Sequence, residues 1–113
     1  MTANNTLMMA TPFPVEQALK RLGANLRTAR LRRNLTIKEV AQKIGTGPKP
    51  VADAEKGKAS TSAAVYMALL WVYDLLTPMD AVADPASDRE GLALSVPRER
   101  ARAKSPQELD SDF

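Results

Sequence analysis

Apolar residues recur at helical spacing along the first three quarters of the chain. The first stripe has a period of three and four residues, which predicts one long amphipathic helix from Val15 to about Arg33. Its apolar members are Val15, Ala18, Leu19, Leu22, Leu26 and Ala29. A second stripe predicts a shorter helix directly afterwards, and it consists of Ile37, Val40, Ala41 and Ile44.

The shorter helix has clear start and stop signals. Thr36 is a good N-cap, because its hydroxyl can accept a hydrogen bond from the amide of Glu39. The Glu39 side chain can reach back in return, which predicts a capping box. Gly45 is suited to the left-handed conformation that ends many helices.

A third helix is predicted immediately after this glycine. It begins near Gly47 or Pro48, because proline suits the first turn of a helix, and it ends at Gly57. Two short helices joined by a glycine turn, within residues 35–58, match the helix-turn-helix plan. Helices this short cannot bury enough apolar surface alone, so the flanking segments must complete a core.

The segment from Ala63 to Tyr73 is apolar nearly all round. Such a helix is buried on more than one side. Its second side contacts another subunit, or the helix lies wholly inside its own chain, and the sequence leaves both possibilities open. The candidates for core or dimer contacts are Tyr66, Leu70 and Trp71. A further short helix is predicted to start at Thr77 and Pro78.

These elements predict an all-α fold, a compact bundle of about five short helices with a flexible arm and tail. We expect residues 1–13 to form a mobile N-terminal arm and residues 14–84 to form the helix-turn-helix domain. Residues 85–113 are polar and interrupted by prolines, so we expect a largely disordered tail. Within it, the apolar run from Leu92 to Val96 predicts a brief extended piece.

The net charge of +3 conceals a strong asymmetry. Residues 1–60 contain 11 Lys and Arg against 4 Asp and Glu, whereas residues 61–97 contain one Arg against five acids. A basic half that coincides with the helix-turn-helix segment favours binding to phosphates, the alternative being a solvated basic surface. Four arginines near the end of the long helix allow the same two interpretations, and they are Arg27, Arg30, Arg32 and Arg33.

Several classes of function find no support in the composition. The chain has no cysteine and no histidine, so we expect no metal site, no cofactor and no catalytic residues. Gly45, Thr46 and Gly47 lack the flanking strand and the Lys-Ser/Thr ending of a phosphate-binding loop, and they predict a turn. No apolar run approaches the ~20 residues of a membrane span, and we expect a cytoplasmic protein.

The segment from Leu22 to Gly57 resembles the Xre/Cro-type helix-turn-helix repressors, which have a lambda-repressor-like domain. The residues that carry this resemblance are Leu26, Arg30, Leu35, Thr36, Glu39, Val40, Ala41, Gly45, Val51, Glu55 and Gly57. A second pattern is similar to HipB-like antitoxins, which are encoded beside HipA-type serine/threonine kinase toxins. It comprises the run from Leu22 to Thr36 together with Tyr66, Leu70, Trp71, Leu75, Leu76, Asp84, Pro85 and Gly91.

The resemblance implies roles for particular residues. Arg30 and Glu55 would form a structural ion pair between the first and third helices. The third helix would enter the major groove of DNA, and the second helix would lie near the backbone. The expected DNA-binding residues are Thr36, Lys38, Lys43, Thr46, Lys49, Asp53 and Lys58.

Two functions from different classes follow. The first is a homodimeric, sequence-specific repressor that binds a palindromic operator in double-stranded DNA, as the antitoxin of a HipA-type kinase toxin. The second is a protein-interaction adaptor that keeps the fold but binds DNA weakly or not at all. The adaptor is favoured by the third helix, where only Lys49 and Asp53 can hydrogen-bond to bases. The other residues offered there are Pro48, Pro50 and Ala52.

Overall fold

The computed structural model describes the backbone of residues 5–102 and the side chains of residues 6–95. Within that range the chain is helical, with no β-strand, which confirms the predicted all-α class. The α-helices are α1 (Asn5–Met9), α2 (Phe13–Arg32), α3 (Ile37–Ile44), α4 (Pro48–Glu55), α5 (Ala63–Val72) and α6 (Arg89–Arg102). Two 3-10 helices cover Thr77–Ala81 and Pro85–Ser87.

The boundaries of α3 have the predicted cause. The Thr36 hydroxyl accepts a hydrogen bond from the Glu39 amide at 3.1 Å, and the Glu39 carboxylate accepts one from the Thr36 amide at 2.9 Å. Because Gly45 adopts a φ of 82°, the Thr46 amide can donate to the Ala41 carbonyl at 2.9 Å. The predicted capping box and left-handed glycine stop are therefore confirmed.

Helix α4 follows after a very short turn, as predicted. Gly47 is its extended N-cap, and Pro48 occupies the first helical position. The chain leaves α4 through Gly57, which has a φ of 70°. Helices α3 and α4 with their glycine turn thus form the helix-turn-helix unit that the sequence predicts.

The core is built from the facing sides of α2, α3, α4 and α5. Its buried apolar residues are Leu26, Ala29, Val40, Ala41, Val51, Ala54, Tyr66, Leu69 and Tyr73. The first turns of α2 contribute less than their spacing predicts, because Val15 and Ala18 are exposed. The predicted stripe is therefore correct only from about Leu19 onward, where partly buried side chains begin to pack on the core.

Helix α5 is only partly covered by its own chain. Tyr66 and Leu69 are buried and Leu70 is half-buried, but Trp71 is 62% exposed. Tyr66 is thus a core residue and Trp71 is not. The possibility that this helix lies wholly inside its own chain does not hold.

By the density of its internal contacts, the chain divides into two units, Met1–Thr77 and Pro78–Phe113. The first contains the helix-turn-helix. In the second, the Asp84 carboxylate caps the 3-10 helix by accepting from the Ala86 amide at 2.9 Å. None of the described helices combines the length and apolar character that crossing a bilayer requires.

The termini differ locally from expectation. Asn5–Met9 forms a helical turn inside the segment predicted as an arm, and residues 1–4 lie outside the described range.

The prediction of an extended piece at Leu92–Val96 is wrong, because this run belongs to α6. Its leucines and alanine favour helix, and the Asp88 carboxylate caps the first turn by accepting from the Gly91 amide at 3.0 Å. Residues 103–113 of the predicted tail also lie outside the description, and the proposed domain limits stay a prediction.

Candidate nucleic-acid interface

Helix α4 is held against α2 by a close approach of two backbones. A Cβ added at Gly23 would lie 2.6 Å from the Ala54 carbonyl oxygen and 2.7 Å from the Gly57 amide nitrogen. A Cβ at Gly57 would lie 2.5 Å from the Leu19 carbonyl oxygen, and its positive φ also favours glycine. Sequence reasoning missed Gly23, although an isolated glycine inside a helical pattern is a signal for close packing.

A buried ion pair also joins α4 to α2, about two turns further along α2 than Gly23. The Arg30 guanidinium donates to the Glu55 carboxylate in a bidentate arrangement, with Nε–Oε2 at 2.6 Å and Nη2–Oε1 at 3.0 Å. The two side chains are only 10% and 6% exposed. Arg30 Nη1 also donates to the Leu35 carbonyl at 2.9 Å, which ties down the segment between α2 and α3. The structure therefore brings together the two residues that the resemblance pairs, and the pair orients α4.

With one side of α4 buried, the opposite side faces solvent. Val51 and Ala54 are completely buried. At roughly 100° per residue, Lys49, Asp53 and Lys56 lie on the far side of the helix from these two residues. Lys49 and Lys56 are exposed, so this face presents positive charge at both ends of α4.

The Asp53 carboxylate lies between two lysines. Lys49 Nζ lies 3.0 Å from Oδ2, and Lys58 Nζ lies 3.3 Å from Oδ1. The hydrogen bond from Lys49, helped by the one from Lys58, lowers the pKa of the Asp53 carboxyl. The structure thus brings together three of the seven residues predicted to bind DNA. We call Lys49, Asp53 and Lys58 the lysine–aspartate cluster.

The remaining predicted contacts lie on α3 and the turn. Thr36, Lys38 and Lys43 are exposed. The two lysines are five positions apart, so they project about 140° apart around the helix, at opposite edges of its solvent face. Thr46 is half-buried, and its amide is used within the turn by the bond to Ala41. The two lysines can flank a docked duplex, whereas Thr46 mainly shapes the turn.

The arginines of α2 have different environments. Arg33 donates to the Ala29 carbonyl and to the Tyr73 carbonyl, each at 2.9 Å, and its guanidinium carbon lies 5.4 Å from the centre of the Tyr73 ring. Arg33 is therefore engaged in packing, as the buried Arg30 is. Arg27 and Arg32 are exposed and remain available for phosphates.

Nowhere in the described part of the chain do three Asp or Glu side chains converge as metal ligands would. What the described surface offers is a rigidly held helix with a cationic face, a property suited to binding a polyanion.

Comparison with known proteins gives one family. The model described as "Helix-turn-helix domain" matches residues 21–81, which run from the third turn of α2 to the 3-10 helix at Thr77–Ala81. Neither a curated protein nor a solved structure matches the chain. The match supports the general class, whose members are typically DNA-binding and non-enzymatic, and does not extend to the HipB-like subset. Since it covers more than half of the chain and coincides with the observed α3–turn–α4 unit, this protein belongs to the helix-turn-helix domain family of DNA-binding proteins.

Proposed function

We propose that this protein is a sequence-specific transcriptional repressor of the Xre type, which inserts α4 into the major groove of an operator. The observation that carries the proposal is the solvent face of α4. It bears Lys49 and Lys56 and is fixed from behind by the Arg30–Glu55 pair and by Gly23. A helix held this rigidly loses little conformational entropy on docking.

The charge distribution supports the same docking mode. Residues 1–60 carry a net charge of +7, and the helix-turn-helix unit lies within them. Lysines at exposed positions of α3 and α4 can replace counterions along the phosphate backbone, and this release of counterions supplies much of the affinity for DNA.

The exposed apolar surface of α5 supports a homodimer. Ala64, Met67, Ala68, Trp71 and Leu75 recur at helical spacing, and all of them retain exposed surface. Helix α5 contains no charged residue, so two copies of this face can meet without opposing like charges. We propose that a second copy of the chain covers it. Two recognition helices related by a two-fold axis would then bind a palindromic site.

The finer part of the proposal is the antitoxin role. It rests on the resemblance of residues 22–36 and of the later Tyr66 to Gly91 pattern to HipB-like antitoxins. Under this proposal the protein represses its own operon and binds a HipA-type kinase toxin. Segment 61–97 has a net charge of −4, and its acidic residues would contact the kinase.

One observation favours the adaptor as a second candidate. Asp53 places a carboxylate on the face that would approach phosphates, and its charge opposes DNA binding. An adaptor would use the same fold to hold a partner protein and would have little affinity for a duplex.

The experiment that separates these functions is a DNA titration at several salt concentrations. A fluorescein-labelled duplex is titrated with purified protein, first for wild type and then for Lys49→Ala. We expect wild-type affinity to fall by orders of magnitude between about 50 and 200 mM salt. Lys49→Ala should bind more weakly, and its slope of log K against log salt should be shallower by about 0.9, the loss of one phosphate contact.

The matched control is Arg89→Ala, which removes one positive charge outside residues 21–81 and should leave the slope unchanged. Lack of any duplex binding at low salt, combined with capture of a co-expressed HipA-type kinase, would decide for the adaptor. Equal slopes of log K against log salt for wild type and Lys49→Ala would show that Lys49 does not contact phosphates in the complex.

A further inference from the structure

The lysine–aspartate cluster joins α4 to the segment that follows it. Lys49 and Asp53 are one helical turn apart on α4, and Lys58 lies just beyond the helix end. The Lys58 amide also donates to the Asp53 carbonyl at 3.1 Å. Both carboxylate oxygens of Asp53 therefore have an ammonium partner, while the backbone around Lys58 is fixed to the same residue.

The side chains of Asp53 and Lys49 differ sharply in exposure. The Asp53 side chain is only 18% exposed, whereas that of Lys49 is 79% exposed. A carboxylate in this position is poorly placed to reach a base edge, because its oxygens are already engaged and its side chain is largely covered. Lys49 can extend toward DNA from the same anchor.

We propose that Asp53 is a positioning and specificity-determining residue, which orients Lys49 and Lys58 and weakens sequence-independent binding to phosphates. The inference rests on the DNA-binding function proposed above. Asp53 reduces the charge of the cluster from +2 to +1. Its own charge repels the phosphate backbone at any site on DNA, whatever the sequence. Non-specific binding depends almost wholly on phosphate contacts, so this repulsion lowers its affinity directly. Asp53 also holds Lys49 where it can donate to a base of the operator. A random sequence lacks this gain, so the operator loses less affinity and discrimination rises.

The alternative role for Asp53 is direct recognition, in which its carboxylate accepts a hydrogen bond from the amino group of cytosine. The two roles predict different base preferences for a variant that lacks the charge of Asp53. A positioning residue leaves the preferred bases unchanged when its charge is removed, whereas a residue that contacts cytosine changes the preference at one position.

Asp53→Asn separates them, since asparagine keeps the shape of the side chain and removes its charge. Binding is measured with a duplex of random sequence, and base preference is determined by selection from a pool of duplexes with a randomised central segment. We expect Asp53→Asn to bind the random duplex about tenfold more tightly near 0.1 M salt, with a slope steeper by about 0.9. The selected base preferences should match those of wild type, but the ratio of selected-site to random-site affinity should fall.

Asp74→Asn is the matched control. It removes one negative charge from an exposed position just after α5, and the φ of 60° at Asp74 suits asparagine. This variant should bind like wild type. In addition, Asp53→Asn should have a smaller effect when combined with Lys49→Ala, because Asp53 acts partly through that lysine.

A changed preference at one base pair in Asp53→Asn would show direct recognition and overturn the inference. So would random-duplex affinity equal to that of wild type, or an equal gain in Asp74→Asn. If the wild-type protein itself binds neither duplex at low salt, the proposed function fails first, which distinguishes that failure from the failure of the inference.

Discussion

The two core tyrosines place their hydroxyl groups in different surroundings. Tyr66 donates to the Lys58 carbonyl at 2.8 Å, so it connects α5 to the segment after α4. Tyr73 is 1% exposed, and no described residue forms a hydrogen bond with its hydroxyl. Burial, the largest influence, raises the pKa of Tyr73 to about 12. One hydroxyl therefore stabilises the fold, whereas the other is buried at a cost.

Replacing each tyrosine by phenylalanine should accordingly have different effects on stability. Tyr66→Phe should lower the free energy of unfolding by about 1 kcal/mol, because it leaves the Lys58 carbonyl without its partner. Tyr73→Phe should be neutral or stabilising, since it removes an unpaired polar group and keeps the ring under Arg33. Urea denaturation followed by circular dichroism measures both variants. A Tyr73→Phe variant that is less stable than Tyr66→Phe would show that the Tyr73 hydroxyl has a partner, such as a bound water.

At the scale of helices, the position of α4 depends on glycine at the α2–α4 contact. Gly23→Ala should destabilise the domain by about 1–3 kcal/mol, the usual cost of overpacking, because the new Cβ would meet backbone atoms that cannot rotate away. Gly47→Ala is the matched control. Its φ of −79° is ordinary, and no atom lies within 4 Å of the added Cβ.

Thermal denaturation of the two variants provides the measurement. The expected order of melting temperatures places Gly23→Ala well below Gly47→Ala, which should stay near wild type. Similar melting temperatures for the two would mean that α2 and α4 can separate without loss of stability.

The helices also show why the sequence predicts some features and misses others. The capping box of Thr36 and Glu39 and the stop at Gly45 depend on neighbours within a few residues, so local spacing was sufficient. The close approach at Gly23 depends on Gly57, which is distant in sequence and adjacent only after folding. The helix at Leu92–Val96 was missed because a short apolar run is ambiguous between strand and helix.

The candidate site was predictable to a similar degree. The resemblance paired Arg30 with Glu55, and exposure of Lys38, Lys43 and Lys49 agrees with a solvent-facing role. The bridging position of Asp53 was not predictable, because it depends on Lys58 folding back toward α4. Residue types on a helix indicate which contacts are available, and only the fold determines which are already used.

At the scale of the whole molecule, the exposed apolar stripe on α5 bears on assembly. Trp71→Ala should produce a folded monomer from a wild-type dimer, because the indole is mostly exposed and contributes little to the core of one chain. Val82→Ala, which shortens another exposed apolar side chain, is the control and should remain dimeric. Sedimentation velocity with circular dichroism measures both size and folding. A wild-type protein that is monomeric at high concentration would contradict the proposed interface.

The docking face itself is tested most directly by nuclear magnetic resonance. Amide chemical shifts of the isotope-labelled protein are followed while an unlabelled duplex obtained by selection is added at low salt. We expect the largest changes from Gly47 to Lys56, smaller ones near Thr36 and Lys38, and almost none in α6. Changes confined to α5 and α6, with α4 unaffected, would contradict the proposal that the solvent face of α4 lies on DNA.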